Sequence, residues 1–232
     1  MVRSTVISPT KANTLFWLGR YEERVYLTLH QLRKCYDKMI DGAPEDYQTF
    51  WSKLDAMGMY QTNDEFTLGM MYDKTYPCSV IAAQTKAMDN AILLREDIMS
   101  ESLSYIEMSV ALMNECKEKS EKNVICLQPI IDWSLAFWGA AEQYLQNHNA
   151  LNIMMTGRNI ENLDMQVRFG YSYERVQLAF DSLKRYRQQK HDFFDTEVVG
   201  ELESMLKKEL FDINNIAYKN RLLTSINKLA KV

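Results

Sequence analysis

Apolar side chains recur at spacings of three and four residues along the first part of the chain. A stripe with this spacing lies on one face of an α-helix, so it predicts one helix of unusual length. The start signal Ser8-Pro9 precedes the stripe, and the turn-forming run at 41–44 follows it. The members of the stripe are Leu15, Leu18, Val25, Leu29, Leu32, Tyr36 and Met39.

Turn-forming residues are scarce throughout the chain. Eight glycines and four prolines are only 12 of 232 residues, whereas roughly 12% is usual. Few turns over this length indicate long helices, and no alternating segment indicates a strand. No linker rich in glycine, proline or serine divides the chain. We therefore predict a single all-α domain over residues 1–232, a bundle of long antiparallel helices with an internal pseudo-repeat.

The other helices are predicted from periodicity and from start and stop signals. Short helices are expected over 47–57 and within 61–77, and two amphipathic helices near 196–210 and 213–230. Further helices are expected to begin near Pro77 and Pro129, and another to carry the apolar residues between Ile153 and Val167. For the helix after Pro77 the predicted buried stripe is Met88, Ile92, Arg95, Met99, Leu103, Ile106, Val110 and Met113.

A ten-residue segment occurs twice. Residues 15–24, LFWLGRYEER, align with residues 153–162, IMMTGRNIEN, so that a glycine, an arginine and a glutamate coincide. The apolar stripes around both copies stay in register at the same offset. Two copies predict two related helical hairpins about a pseudo-two-fold axis, because a solenoid needs three or more repeats.

The coinciding polar residues are the first candidate site. Arg20 and Glu23 are three residues apart and share a helix face, and Arg158 and Glu161 repeat this arrangement. One interpretation is a polar cluster from two helices that binds an anionic or amide-containing ligand. The other is an ion-pair network that only joins the duplicated helices. The glycine before each arginine costs about 1 kcal/mol relative to alanine, which indicates the close approach of another helix.

Two charged residues fall on the apolar stripes themselves. Glu22 lies in the stripe of the first helix, and Arg95 lies in the stripe predicted after Pro77. A charge on a buried face must be paired or must line a cavity. We expect Arg95 to pair with Glu22 or Glu23, unless either side chain reaches solvent at a helix edge.

Charge and motif content argue against several classes of function. The net charge of −4 gives no footprint for nucleic acid, and the basic stretch at 184–190 fits a solvated helix end. No apolar run reaches the roughly 18 residues of a membrane span, and no signal-peptide core is expected at the N-terminus. The four cysteines form no CxxC pair and indicate reduced thiols in the cytoplasm. No metal-ligand spacing, phosphate-binding loop or nucleophile elbow is present, so neither metal nor cofactor is expected.

Three segments resemble motifs of the alpha-E family. Residues 17–24, WLGRYEER, resemble the Trp-Leu-Gly-Arg-Tyr-x-Glu-Arg motif of the family's first helix. Residues 77–79, 89–91, 95–96 and 100–101 resemble a second segment, in which an NPxS signal precedes a polar helix. Residues 139–142 and 157–164 resemble a Gly-x-x-Glu helix that leads to a second Leu-Gly-Arg-x-x-Glu-Arg-Ala-Asp motif. The three segments follow the family's order and span most of the chain.

The resemblance implies an all-helical bacterial protein encoded near, or fused to, circularly permuted ATP-grasp proteins and transglutaminase-like proteases. It further implies a system that makes or modifies peptides by ATP-driven amide bond formation. Glu23 and Glu161 stand at the family's glutamate positions. The chain departs from the family at Glu22, where an apolar residue is usual. It also departs at Met88 and Ile92, where the family often has arginines, and at Asn162, which replaces the arginine of the second motif.

Three functions follow as hypotheses. The first is an accessory protein that binds a peptide substrate, or an ATP-grasp-type or transglutaminase-like partner, in a polar crevice between the motif helices. The second is an enzyme that uses Glu23 or Glu161 as general acid or base on an amide. The third is a purely structural interaction bundle. No nucleophile–base pair is visible, which favours binding. The candidate binding residues are Arg20, Glu23, Arg24, Arg95, Glu142, Arg158, Glu161 and Asp164.

Overall fold

The computed structural model describes residues 7–41, 53, 59–187 and 193–231. The helix expected over 47–57 lies outside the described residues except for Lys53, and so does the end of the basic stretch. In chain order the helices are α1 Pro9–Ile40, α2 Asn63–Tyr72, α3 Val80–Leu93, α4 Arg95–Glu118, α5 Gln128–Tyr144, α6 His148–Arg168, α7 Tyr173–Arg187, α8 Thr196–Met205 and α9 Ile216–Asn227. A 3-10 turn over Val124–Leu127 precedes α5.

The all-α prediction is confirmed. Across the described ranges the only β pairing is an isolated antiparallel bridge between Phe194 and Ala230. That bridge closes the α8–α9 hairpin, in which Glu201 pairs with Arg221 and the Tyr218 hydroxyl donates to the Met205 carbonyl. The assignment of the whole chain to one domain stays a prediction.

Helix α1 has the predicted start and the predicted buried face. The Ser8 hydroxyl accepts a hydrogen bond from the Lys11 N–H at 3.3 Å, which caps the first turn. The stripe residues Leu15, Leu18, Val25, Leu29 and Leu32 are fully buried. The N-terminal part of this stripe, Leu15 and Leu18, packs into one hydrophobic cluster, and the C-terminal part, from Val25 to Leu32, packs into a second. A single long helix therefore connects both parts of the core.

The stripe predicted after Pro77 is wrong in two respects. The chain forms two helices there, because the backbone leaves helical geometry at Leu94, and Met99 (φ 63°) interrupts α4 once more. Over residues 87–103 the buried face is also displaced by one residue from the prediction, since Ile92 and Met99 are about half exposed, whereas Ile106 and Met113 are buried as predicted. The residues that face the core are Ala83, Ala87, Ala91, Leu94, Ile98, Ser102, Ile106 and Ser109.

Small side chains explain this displacement. Alanine and serine on α3 and α4 allow neighbouring helices to approach closely, and bulkier residues such as Met88 and Leu103 pack at the flank of the contact. The prediction placed bulky residues such as Met88 and Leu103 at the centre of the face, whereas the buried face alternates small residues with Leu94, Ile98 and Ile106. The helix capped by Ser79, whose hydroxyl accepts from the Ala82 N–H at 3.1 Å, begins close to its predicted start.

One described segment, 124–144, is long and apolar enough on average to cross a membrane. It includes Asp132 and Glu142, so it is not a continuous apolar run. Its Phe137 and Trp138 side chains are buried in the hydrophobic core. A core helix of this kind meets the same criteria as a membrane span, and the finding is weak evidence for one.

The two helices that carry the repeat lie side by side and run in the same direction. Residues 16–19 of α1 contact residues 154–157 of α6, and residues 20–24 contact residues 158–162 further along both helices. A pseudo-two-fold axis between the helices exchanges the two copies, as the repeat predicts. This pairing places both sets of polar motif residues at one interface.

Candidate functional site

Helices α1 and α6 touch backbone to backbone at the glycines of the repeat. A Cβ atom on Gly19 would lie 2.1 Å from the carbonyl oxygen of Met154, and one on Gly157 would lie 2.1 Å from that of Phe16. No side chain fits at either position, which confirms the predicted reason for both glycines. The close approach brings the arginine and glutamate that follow each glycine into contact with the opposite helix.

The ion pairs at this contact are exchanged between the copies. Arg20 Nε donates to Glu161 Oε2 at 2.7 Å, and Arg158 Nε donates to Glu23 Oε2 at 3.0 Å. Each arginine therefore serves the glutamate of the other copy. Arg20, Glu23 and Glu161 are all at least 97% buried. The prediction that both motif pairs face a common polar region is confirmed.

The second carboxylate oxygen of each glutamate accepts a hydrogen bond from the residue at the same position of the repeat, but these two donors differ in charge. Arg24 Nε donates to Glu161 Oε1 at 2.6 Å, whereas Asn162 Nδ2 donates to Glu23 Oε1 at 3.1 Å. Arg24 and Asn162 occupy the same position of the repeat. Glu161 therefore has two guanidinium partners and Glu23 has one, a charge-assisted bond being the stronger kind.

This asymmetry sets the pKa values of the two carboxyls. Burial alone raises the pKa of Glu161, but Arg24 and Arg20 outweigh it and lower that pKa to about 2. Burial also raises the pKa of Glu23, and Arg158 and Asn162 only partly oppose it, so its pKa stays above the ordinary value. Glu23 is therefore the carboxyl of this pair whose charged form is disfavoured by burial.

Glu22 is buried, as its place in the apolar stripe predicts, but its partner is not Arg95. Gln84 Nε2 lies 3.5 Å from Glu22 Oε1, and both side chains are at most 2% exposed. Burial, followed by the smaller effect of Glu23, raises the pKa of Glu22 to about 8 despite the hydrogen bond from Gln84. At neutral pH the side chain is therefore largely an uncharged acid.

The pairing predicted for Arg95 is wrong. Arg95 is exposed at the first turn of α4, whereas Glu23 is taken by Arg158 and Asn162. The break at Leu94 and the buried small-residue face rotate Arg95 away from the core. Its assignment to the candidate site is therefore not supported by position.

Two further predicted residues lie at the border of the network. Glu142 is about half exposed, and its Oε1 lies 3.9 Å from Arg158 Nη1. Asp164 is buried, but it binds Arg168 Nε at 2.6 Å and Asn227 Nδ2 at 3.0 Å. Of the eight candidates, the structure brings five into one network, namely Arg20, Glu23, Arg24, Arg158 and Glu161.

A crevice of about 290 Å³ opens beside the Glu23 half of the network, between α6 and α7. Two arginines of the lining stack on aromatic rings. The guanidinium carbon of Arg158 lies 4.4 Å from the centroid of the Trp138 ring, and that of Arg175 lies 4.1 Å from the centroid of the Tyr171 ring. Leu178 and Ala179 supply the apolar part of the lining. The polar lining residues are Glu23, Arg158, Asn159, Asn162, Gln166, Arg175 and Ser182.

A relay of amides connects Glu23 to the crevice wall. Gln166 Nε2 donates to Asn162 Oδ1 at 2.7 Å, and Asn162 in turn donates to Glu23. This direction leaves the buried Gln166 Oε1 as an acceptor with no hydrogen-bond partner in the described chain. A buried acceptor without a donor is costly, and the Gln166 side chain that carries this acceptor belongs to the lining of the crevice.

The amide relay was not predicted from the sequence. Asn159, Asn162 and Gln166 recur at spacings of three and four, so an amide stripe on α6 was the available signal. Arg175 and Ser182 join them only because α7 folds back onto α6. Across the described residues, no group of three or more histidine, cysteine, aspartate or glutamate side chains is placed to hold a metal ion.

The comparisons with known proteins identify a family. The alpha-E profile, described as a predicted alpha-helical domain with a conserved ER motif, matches residues 8–207. That range contains two Glu-Arg pairs, at 23–24 and 174–175, and they supply Glu23 and Arg175 to the crevice. No curated protein and no solved structure matches the chain.

Proposed function

Because the chain belongs to the alpha-E family, we propose that it is an accessory helical protein of an ATP-grasp-linked system for peptide synthesis or modification. In this proposal it works with an ATP-grasp-type ligase or a transglutaminase-like protein. It binds the peptide substrate or the ligase in the crevice between α6 and α7. The observation that carries the proposal is the lining of this crevice, where Glu23, two arginines and three amides converge.

The lining suits a peptide for a chemical reason. A peptide backbone offers alternating N–H donors and carbonyl acceptors, and the crevice offers both amide oxygens and guanidinium donors. A cavity of about 290 Å³ is at the lower limit of ligand pockets, so it fits one or two residues of a chain. Glu161, in the opposite half of the network, is fully buried and does not line this crevice, so in this proposal it holds the helices together.

A catalytic function is the alternative, and it rests on Glu23. A carboxyl with a raised pKa beside a cavity is suited to general acid or base chemistry. Glu161 is less suited to it, because two arginines enclose it and hold its pKa near 2. The enzyme hypothesis therefore narrows to one of the two glutamates.

We also propose a cytoplasmic location, with no nucleic acid or membrane as a partner. All four cysteines are free thiols, which fits a reducing compartment. The net charge of −4 gives no support to nucleic-acid binding.

Co-purification with an ATP-grasp ligase encoded beside the chain tests the proposal. We expect the wild-type protein to retain the ligase or to raise product formation by the reconstituted pair. Glu23→Gln should lose this effect while remaining folded, and the exposed Arg95→Gln should behave as wild type. An unaffected Glu23→Gln protein, or a wild-type protein that neither retains nor stimulates the ligase, contradicts the proposal. Retained peptide binding with lost turnover in Glu23→Gln supports the enzyme alternative.

A further inference from the structure

The crevice contains two polar groups whose bonding capacity the described chain does not use. One is Gln166 Oε1, a buried acceptor at the end of the amide relay. The other is the guanidinium of Arg175, which is exposed, stacks on Tyr171 and has no carboxylate partner in the described part of the chain. One group requires a donor and the other prefers an anion.

The charges around the crevice favour an anionic ligand group beside Arg175. Glu23 is already balanced by Arg158, and Glu161 is balanced by Arg20 and Arg24. Arg175 therefore adds a positive charge that no carboxylate of the lining offsets. A ligand that carries only a cation meets net repulsion here, whereas a carboxylate gains charge-assisted hydrogen bonds.

We propose that the crevice recognises an α-carboxylate together with the N–H group adjacent to it. The carboxylate binds Arg175, and the N–H donates to Gln166 Oε1. This chemistry occurs at the C-terminal residue of a peptide and in a free amino acid. The inference deepens the proposed function and rests on it, because it names the part of the peptide that the crevice holds.

Glu23 acts in this recognition as a positioning residue. When Glu23 is ionised, it accepts from Asn162 Nδ2, which turns Asn162 Oδ1 toward Gln166 Nε2 and leaves Gln166 Oε1 for the ligand. Arg158 Nε can only donate, so a glutamine at position 23 must give its oxygen to Arg158. Its NH₂ group then faces Asn162 and reverses the relay, and Gln166 presents a donor to the ligand.

Short synthetic peptides test the carboxylate. The probes are N-acetyl-trialanine, the same peptide with a C-terminal amide, and free alanine, titrated into the full chain by calorimetry. We expect the free carboxylate to bind at least roughly tenfold more tightly than the amide, the effect of one charge-assisted bond. Arg175→Gln should abolish this preference, and Arg95→Gln should keep it. Binding of free alanine as tightly as the peptide identifies the amino acid as the source, and peptide binding alone identifies the C-terminus.

A depsipeptide tests the relay. Replacing the last amide N–H of N-acetyl-trialanine by an ester oxygen should weaken binding to the wild type roughly tenfold, because Gln166 Oε1 then faces another acceptor. Glu23→Gln should lose or invert this preference for the amide, which a merely structural Glu23 would not do. Thermal melts of each variant confirm that it is folded.

The outcomes separate this inference from the proposed function. Equal binding of carboxylate and C-terminal amide probes, no measurable binding of any probe, or a preference for the peptide over the depsipeptide that is unchanged in Glu23→Gln overturns the inference, even where the ligase co-purifies. Selective binding of the carboxylate with no ligase association leaves the recognition intact and overturns the partnership.

Discussion

Glu23 and Glu161 occupy the same position of the internal repeat, lie on neighbouring helices, and have carboxyl pKa values that move in opposite directions. The pKa of Glu161 falls to about 2 and that of Glu23 rises. Both side chains are almost fully buried, so burial does not distinguish them. The difference comes from one substitution within the repeat, Arg24 in the first copy and Asn162 in the second.

The first prediction is that the two glutamates contribute unequally to stability. Glu161→Gln leaves the buried Arg20 and the partly buried Arg24 without this carboxylate, and breaking a buried pair costs about 3–5 kcal/mol. Glu23→Gln should cost much less, because the ionised form of Glu23 is already disfavoured by burial. Urea unfolding at pH 7 measures both, and equal losses would contradict the asymmetry.

The same pair predicts different behaviour in acid. The pKa of Glu161 is lowered from 4.5 to about 2, so its stabilisation is present above pH 4.5 and is lost as the pH falls toward 2. The wild type should therefore lose stability over this range, and Glu161→Gln should lose less. Circular dichroism melts between pH 2 and 5 in steps of about half a unit resolve the difference.

The second prediction concerns Glu22, whose pKa is raised from 4.5 to about 8. The folded protein keeps Glu22 protonated where the unfolded chain has lost the proton, so the stabilisation that this group contributes is greatest below pH 4.5 and declines up to pH 8. The slope from this group reaches about 1.4 kcal/mol per pH unit. Glu22→Gln keeps the shape, the polarity and a hydrogen bond to Gln84, and it should raise stability at pH 8.5 while changing little at pH 4.5. A variant that is no more stable than wild type at pH 8.5 would show that Glu22 is not a buried neutral acid.

The third prediction uses the glycines of the helix contact. Gly19→Ala and Gly157→Ala should each be strongly destabilising, because the added methyl would meet a backbone carbonyl oxygen at 2.1 Å. Gly139→Ala in α5 and Gly200→Ala in α8 are matched controls, because no atom of the described residues, apart from the adjacent backbone of the same helix, lies within 4 Å of the new Cβ. These controls should stabilise the protein by about 0.5–1 kcal/mol, since alanine favours a helix over glycine. Thermal melts of the four single variants compare the two classes, and similar effects in both would contradict the close contact.

The fourth prediction restores the symmetry of the network. Asn162→Arg supplies Glu23 with a second guanidinium, as Arg24 supplies Glu161. The pKa of Glu23 should fall below its ordinary value, which carboxyl ¹³C NMR titration measures directly. The variant also removes the amide relay to Gln166, so N-acetyl-trialanine should bind more weakly. An unchanged Glu23 pKa in a folded variant would show that the missing guanidinium does not cause the asymmetry.

The start and the buried face of α1, and the contact between the two copies of the repeat, could be predicted because their sequence signals are local and periodic. The buried leucines of α1 follow the 3.6-residue period, and Ser8 marks the start of the helix. Gly19 and Gly157 are costly within helices unless another backbone approaches, so their repetition indicated the contact between copies. The match of arginine and glutamate at equal offsets indicated that both pairs share one interface.

The tertiary structure decided the rest, because it depends on which surfaces meet. The buried face of α3 and α4 combines alanine and serine with Leu94, Ile98 and Ile106, because the small residues allow the neighbouring helices to pack closely. The exchange of ion pairs between the copies depends on the parallel pairing of α1 and α6. The spacing of Arg20 and Glu23 shows that they share a helix face, but it does not predict which helix packs against that face or in which direction. Arg175 reaches the crevice only through the fold of α7. Sequence therefore determined the elements, the contact between the repeats and, through Arg24 and Asn162, the unequal partners of the two glutamates, and the geometry of helix packing decided that Glu23 faces a cavity.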